Sequence, residues 1–252
     1  AAGGEGAPVS PLADLILFGT TGPARRAVLN LGGIANVTVL DPDPARVFGF
    51  DTGPANAPLD RLARTLSGGA LPFDRDGRIG RAGRADAALV ERLLAADPYL
   101  ALPPPKSTGF EMYGDSFVAA VAAAHGGHDA DLMATLTEFV ARSVALGFAR
   151  FVPPVDEVIA AGGGVNNPAL LGRIAALLAP AVLRRSDELG VPAEAREALA
   201  FAILANEALL GHATSLPAVT GARHAVVLGK LSFPRIAVAG PRGRATERFL
   251  EK

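Results

Sequence analysis

The chain of 252 residues contains no cysteine. This absence excludes disulfide bonds, thiol nucleophiles and thiolate metal sites, and it fits a reducing compartment. The four histidines lie at positions 125, 128, 212 and 224, without the HExxH-like spacing of a metal site. His125 and His128 belong to a Gly-rich stretch that is typical of a surface loop. The sequence therefore indicates no metal ligand.

The chain also lacks an excess of charge of either sign. Lys and Arg number 24 against 25 Asp and Glu, and the two signs are interspersed without a basic run. This pattern does not favour a nucleic-acid partner.

Long apolar runs are missing as well. The most apolar stretch, ALAFAILANEALLG, is interrupted by Asn206 and Glu207, so it predicts a buried helix rather than a membrane span. The start, AAGGEGAPVS, has neither Met nor a charged region typical of a signal peptide. We expect a cytoplasmic protein without a membrane partner, whose first residues resemble the interior of a longer chain.

Half of the residues are hydrophobic, which is enough for one large domain or two small ones. Apolar periodicity and turn residues predict three strands before the first long helix, then helices, then alternating strands and helices. The predicted strands lie in 27–40 (a hairpin), 46–51, 157–164, 181–185 and 224–229. The predicted helices run from Asn56 to the glycines at 67–69, over 86–96, for about ten residues from a Thr108–Glu111 capping box, and over 130–150, 168–179 and 194–211. Residues 70–86 read as a loop. This order predicts an α/β fold with a mixed sheet flanked by helices.

Two glycine-rich turns are candidate ligand sites. In NLGGIAN (30–36), Gly32 and Gly33 form a hairpin tip whose amide groups could bind phosphate oxygens, or simply an ordinary tight turn. In AAGGGVNNPALL (160–171), a buried strand ends in three glycines, and Asn167 and Pro168 suit the start of a helix. Such glycines permit a phosphate or a flat ligand to approach the backbone, or merely close packing of strand and helix. The stretch is neither a P-loop nor a Rossmann motif.

Asp51 is the candidate acid–base group. It ends a short apolar run in FGFDTGPANAPLD, where a Gly-Pro turn would present it at the edge of a sheet. It could accept a proton as a general base, or serve only as a turn residue. A second stretch, PPPKSTGFE (103–111), reads either as a rigid connector before a capped helix or as a segment whose Lys106 meets an anion.

These stretches together resemble the second lobe of the actin-like, Hsp70-like and sugar-kinase-like ATPases. The segment DPYLALPPPKSTGFE follows the Asp51 stretch, and EALAFAILA follows the second glycine-rich turn. The order and spacing of all these stretches are similar to those of the anhydro-N-acetylmuramic acid kinases over about residues 1–234. The resemblance implies an actin-like, ribonuclease H-like lobe. It divides the chain into the remnant of a first lobe and a connector at 1–26, the nucleotide-binding lobe at 27–234 and a tail at 235–252.

The family phosphorylates 1,6-anhydro-N-acetylmuramic acid with ATP, with Mg²⁺ expected, while water opens the anhydro bridge. The product is N-acetylmuramate 6-phosphate, in bacterial cell-wall recycling. The resemblance implies that Asp51 activates this water. It also implies a homodimer. The residues that it assigns to the nucleotide are Gly32, Gly33, Asn36, Gly162, Gly163, Gly164 and Asn166, and those that it assigns to the sugar are Asp51, Asn56 and Glu197.

The sequence departs from the family in three respects. Ala55 stands where the family usually has Gly, and Phe110 where it usually has Arg. The family's M-S-G-T-S-x-D-G stretch, which holds ATP phosphates in the first lobe, has no counterpart here. We therefore expect a truncated two-lobe kinase with little or no activity as an isolated chain. The alternatives are a lobe that binds nucleotide or sugar without catalysis, and an ordinary sugar kinase that does not hydrolyse the anhydro bridge.

Overall fold

The computed structural model describes residues 2–4, 8–19 and 24–232. Its five-stranded sheet has the order β3-β2-β1-β4-β5. The strands are β1 Arg26–Leu31, β2 Ile34–Val39, β3 Phe48–Pro54, β4 Glu157–Ala161 and β5 Val182–Arg185. β1, β2 and β3 are antiparallel neighbours, whereas β4 is parallel to both β1 and β5. The predicted mixed α/β sheet is confirmed, and it is the class of fold that the resemblance implies.

The helices in the described residues surround this sheet. They are α1 Pro11–Phe18, α2 Asn56–Leu66, α3 Arg78–Ala82, α4 Ala87–Ala96, α5 Phe110–Tyr113, α6 Asp115–His125, α7 Asp129–Phe151, α8 Pro168–Leu178, α9 Arg196–Leu209 and α10 Pro217–Thr220. The prediction for α8 is confirmed at its first turn, where the Asn167 side chain accepts hydrogen bonds from the Ala169 and Leu170 amides, both at 3.2 Å.

Alternation along the strands buries both faces of the sheet. Leu29 of β1 joins the main core with residues of α2, α7 and α8, whereas the adjacent Val28 packs with Phe18 of α1 on the opposite face. Helix α7 is long and apolar enough to cross a bilayer, but 72% of its most apolar window is buried inside the lobe. Its apolarity is therefore that of a core helix.

Several predicted elements differ from the structure. Residues 70–86 are not all loop, because the Asp74 carboxylate accepts the Ile79 and Gly80 amides and so stabilises the start of α3. The capping box at Thr108 is wrong, since no side chain caps the four-residue α5, and Gly114 separates α5 from α6. The segment 224–229 contains no strand.

Residues 1–26, predicted as the remnant of a first lobe and a connector, contain the helix α1. The tail at 235–252 lies outside the described residues.

Candidate active site

A row of polar side chains crosses three neighbouring strands at the hairpin end of the sheet. Asn36 of β2 pairs with Asn30 of β1 on one side and with Asp51 of β3 on the other. Directly paired residues of antiparallel strands project from the same face of a sheet. Asn30, Asn36 and Asp51 are all half-buried and therefore form one polar strip. Asn36 was predicted as a site residue, whereas Asn30 was not.

A β-bulge between Ala35 and Asn36 sets the register of this strip. Ala35 is opposite Gly53 and Asn36 is opposite Asp51, so Thr52 is the extra residue of β3. Gly53 has a φ of 146°, which side chains rarely adopt, and an added Cβ would lie 3.1 Å from Leu100. The bulge that places Asp51 opposite Asn36 therefore requires a glycine at position 53.

Asp51 is held by the segment that the sequence interpreted as a connector. The Thr108 amide donates a 2.9 Å hydrogen bond to Asp51 Oδ2, and the Asp51 amide donates to the Lys106 carbonyl at 3.2 Å. The Tyr99 hydroxyl donates to the Asp51 carbonyl at 2.8 Å. Residues 106–108 thereby cover the outer edge of β3, which is an edge strand of the sheet.

The environment of Asp51 favours its neutral form. Burial raises the pKa of the Asp51 carboxyl above its ordinary value, and the Thr108 hydrogen bond and the Lys106 charge oppose that shift. A carboxylate with a raised pKa is a stronger proton acceptor once it is ionised. Oδ2 carries the Thr108 bond, and within the described residues Oδ1 has no hydrogen-bond partner. The geometry therefore leaves Oδ1 free to accept a proton.

The Gly32–Gly33 turn contacts the start of α2 through its carbonyl groups. The Gly33 carbonyl accepts hydrogen bonds from the Ala55 and Ala57 amides, both at 3.0 Å, and the Gly32 carbonyl accepts the Asn56 amide at 2.9 Å. The amides of Gly32 and Gly33 take no part in these bonds. The turn thus satisfies the amide groups that a helix leaves unpaired at its start, a role that sequence reasoning had not assigned to it.

Asn56 is the first residue of α2, and its side chain does not cap that helix. Instead, the side chain connects the two glycine turns. Its side-chain amide donates to the Leu31 carbonyl at 2.9 Å. An added Cβ on Gly164 would lie 3.2 Å from Asn56 Oδ1. The structure therefore places Asn56 beside the predicted nucleotide turn.

The three glycines of that turn have different surroundings. Gly162 has a φ of 83°, and an added Cβ would lie 2.7 Å from Asn30 Oδ1. Gly164 is equally crowded, because its Cβ would lie 2.6 Å from the Leu31 side chain. At Gly163 the nearest atom would be Asn56 Nδ2, at 4.0 Å. Close packing accounts for the first and third glycines, and only Gly163 leaves room for a ligand.

A cavity of about 360 Å³ adjoins Gly163. It lies between the start of α2, residues 73–76 and the Gly163–Asn167 turn. Glu194 also lines it and accepts a 2.7 Å hydrogen bond from the Asn166 side chain. The lining residues are Asn56, Leu59, Asp60, Phe73, Asp74, Arg75, Asp76, Gly163, Asn166, Asn167 and Glu194. The predicted residues Asn56, Gly163 and Asn166 therefore share one cavity, whereas Asp51 lies outside its lining.

Glu197, predicted to face the sugar, is exposed in the first turn of α9 and does not line this cavity. No group of three or more His, Asp or Glu side chains in the described residues is arranged to hold a metal ion.

Comparison with known proteins matches the sequence of the chain to one family. The family model described as anhydro-N-acetylmuramic acid kinase matches residues 1–234. Proteins of that name are 47% identical over 231 residues in Xanthomonas axonopodis pv. citri and 45% identical over 233 residues in Streptomyces coelicolor. The matches cover 92% of this chain in both cases, with 60% and 58% of the respective relatives. The chain thus spans about 60% of the length of the curated relatives that it matches.

Among solved structures, the activator of 2-hydroxyisocaproyl-CoA dehydratase from Clostridium difficile, with bound ADPNP, aligns with a TM-score of 0.46 at 14% identity. The alignment covers 76% of this chain and 62% of that protein. With its sequence matched over residues 1–234 and its relatives 45–47% identical, the chain belongs to the anhydro-N-acetylmuramic acid kinase family.

Proposed function

We propose that this chain carries the second lobe of a kinase that uses ATP to convert 1,6-anhydro-N-acetylmuramic acid into N-acetylmuramate 6-phosphate. The observation that carries the proposal is the setting of Asp51, whose Oδ2 is held by the Thr108 amide while Oδ1 lacks a partner among the described residues. Family membership supplies the substrate class, and the names of the relatives supply the reaction.

In this proposal Asp51 acts as general base. Oδ1 takes a proton from the water that attacks the anomeric carbon, and this attack breaks the bond from that carbon to the bridge oxygen. The released oxygen attacks the γ-phosphate of ATP, and ADP leaves. Asn36 is paired with Asp51, and Asn30 is paired with Asn36 on the other side; both offer amide groups for hydrogen bonds to the sugar or to phosphate. The raised pKa of Asp51 supports this role, because it makes the ionised carboxylate more basic.

We assign the nucleotide to the cavity beside Gly163. The open space at Gly163 fits a ligand that lies flat against the backbone, and Asn166 and Glu194 provide polar groups for a ribose or a base. Mg²⁺ usually keeps several waters and is held by one or two carboxylates together with substrate phosphates. Because no cluster of three such groups occurs among the described residues, we propose that Mg²⁺ enters with the nucleotide. We also propose a cytoplasmic location and a homodimer.

The test is product identity. The purified chain is incubated with ATP, Mg²⁺ and 1,6-anhydro-N-acetylmuramic acid for a long period, and the sugars are analysed by mass spectrometry. We expect any sugar phosphate that forms to be N-acetylmuramate 6-phosphate. Asp51→Asn should reduce formation by about 10²–10⁴-fold, the usual contribution of a general base.

A parallel incubation uses N-acetylmuramic acid, whose 6-hydroxyl is already free. An ordinary sugar kinase would phosphorylate this sugar and leave the anhydro sugar intact, which would contradict the proposal. If folded chain forms neither product but binds ADP in calorimetry, the lobe is a binding unit without catalysis. Asn166→Ala, which loses the hydrogen bond to Glu194, is expected to weaken that binding.

A further inference from the structure

Lys106 has an unusual environment for a lysine beside a candidate catalytic acid. Its ammonium nitrogen lies 4.5 Å from the centroid of the Tyr99 ring, 5.0 Å from that of Phe151 and 5.8 Å from that of Phe50. It donates a 3.2 Å hydrogen bond to the Tyr99 carbonyl. Within the described residues it forms no ion pair with a carboxylate. Aromatic faces therefore hold this cation without neutralising it.

The same three aromatic residues are tied to Asp51 or to its strand. Phe50 precedes Asp51 in β3, and the Tyr99 hydroxyl donates to the Asp51 carbonyl. Phe151, at the end of α7, packs edge-on against Phe50 with ring centroids 5.8 Å apart. The cage around Lys106 is thus built on the strand that carries the acid, and on the long core helix behind it.

The backbone of Lys106 completes the connection. Its carbonyl accepts the Asp51 amide, and two residues later the Thr108 amide reaches Asp51 Oδ2. A shift of the 106–108 segment by one residue would remove both bonds. Within this segment the Lys106 side chain is anchored by its contacts with Tyr99, whereas Ser107 is exposed.

We propose that Lys106 is a positioning residue for Asp51: its caged ammonium fixes segment 106–108 so that the Thr108 amide occupies Oδ2, and its positive charge favours the ionised carboxylate. This inference rests on the proposed role of Asp51 as the base. Lys106 itself touches no reacting atom in this scheme. It determines which carboxylate oxygen is available and in which protonation state.

Other charges face the same cage. Asp97 and Asp51 favour the charged form of Lys106, whereas burial and the nearby Arg150 lower its pKa. Lys106 in turn lowers the pKa of Asp51 against the larger effect of burial. Without the lysine, burial and the Thr108 bond alone would remain, and the Asp51 carboxyl would hold its proton to higher pH.

The experiment is a ¹³C NMR titration of the Asp51 carboxyl in the labelled chain, with Asp51→Asn to assign the signal. Lys106→Met and Lys106→Gln should each raise the Asp51 pKa, because both remove an opposite charge. The Thr108 amide signal, which follows the Asp51 titration in the unmodified chain, should lose that response. Lys106→Arg should retain both behaviours, because guanidinium also stacks on aromatic faces. Lys230→Met, at an exposed lysine, is the control.

Two results would overturn the inference. One is an unchanged Asp51 pKa and Thr108 response in the charge-free variants. The other is an equal change in Lys106→Arg, which would show that side-chain shape rather than charge is responsible. If one charge-free variant is unfolded, as shown by a loss of amide chemical-shift dispersion, the other variant still tests the role of the Lys106 charge. These readouts do not require turnover, so they test the role of Lys106 separately, whereas the identity of the sugar product tests the proposed function.

Discussion

Among the carboxylates near the two glycine turns, Asp60 has a clearly altered titration. It lies one turn into α2 and lines the cavity beside Gly163. Burial raises the pKa of its carboxyl to about 6, and Arg64 partly offsets this effect. The folded chain therefore binds a proton at Asp60 more tightly than the unfolded chain does.

This difference predicts a pH-dependent stability. Between about pH 4 and pH 6 the folded state keeps the Asp60 proton that the unfolded state has lost, so the free energy of unfolding should fall as pH rises through that window. Asp60→Asn should remove this fall and stabilise the chain by about 1–2 kcal/mol at pH 8, with little effect at pH 4. Urea unfolding at both pH values measures it. The exposed Asp76→Asn serves as the control, and an equal effect at pH 4 and pH 8 would contradict the assignment.

Two adjacent glycines allow a matched test of the nucleotide site. Gly162→Ala should destabilise the fold, since it combines a φ of 83° with contacts under 3 Å. Gly163→Ala should leave the thermal midpoint nearly unchanged, because an added Cβ meets no atom closer than 4.0 Å. If the nucleotide lies against Gly163, this substitution should weaken ADP binding in calorimetry by about tenfold, the effect of about 1.4 kcal/mol. Full affinity in a folded Gly163→Ala chain would exclude that position for the ligand.

At the scale of elements, a buried ion pair joins α1 to α9. Arg196, the first residue of α9, donates to both carboxylate oxygens of Asp14 in α1, and the Thr38 hydroxyl of β2 donates to the same carboxylate at 2.9 Å. Arg196 and Asp14 are 3% and 0% exposed. Three elements distant in sequence therefore depend on one carboxylate.

Removal of this carboxylate should be costly. Asp14→Ala leaves the Arg196 charge buried without a partner, so we expect a loss of about 3–5 kcal/mol in the free energy of unfolding. Urea denaturation followed by circular dichroism measures this loss. Glu91→Gln breaks the exposed pair with Arg142 and should have no measurable effect. Similar stability losses in the two variants would contradict the importance of burial.

At the scale of the whole molecule, α9 presents apolar side chains to solvent. Phe201, Leu209 and Leu210 are 55%, 67% and 60% exposed. Phe201 and Leu209, together with residues 227–231, border a cavity of about 690 Å³ whose walls are largely apolar. Exposed apolar surface of this kind often marks contact with another molecule. It fits the proposed homodimer, in which a second copy covers α9.

Sedimentation velocity tests this arrangement. The chain should show a concentration-dependent dimer, and Phe201→Ser should shift it toward monomer, because the substitution removes apolar area from the contact. Ile16→Ser, at another exposed apolar position, should leave the dimer unchanged. A chain that stays monomeric at every concentration would contradict the homodimer.

The sequence by itself determined the class of the fold and several candidate site residues. Gly32 and Gly33 required a turn between two apolar runs, and Asn167 and Pro168 required the start of α8, because turns and helix starts depend on local backbone geometry. The motifs around Asp51 and Gly163 also sufficed to indicate the family. These signals are short-range, so they can be read without knowledge of packing.

Only the tertiary structure decided how these residues are combined. Strand pairing places Asn30 in one row with Asp51 across β2, and Lys106 and Thr108 contact Asp51 from more than fifty positions away in sequence. Thr108 does not cap a helix, contrary to the prediction from the sequence; its amide donates a hydrogen bond to Asp51 instead. Contacts between distant segments depend on register and burial across the whole lobe, and no local pattern of residues specifies them.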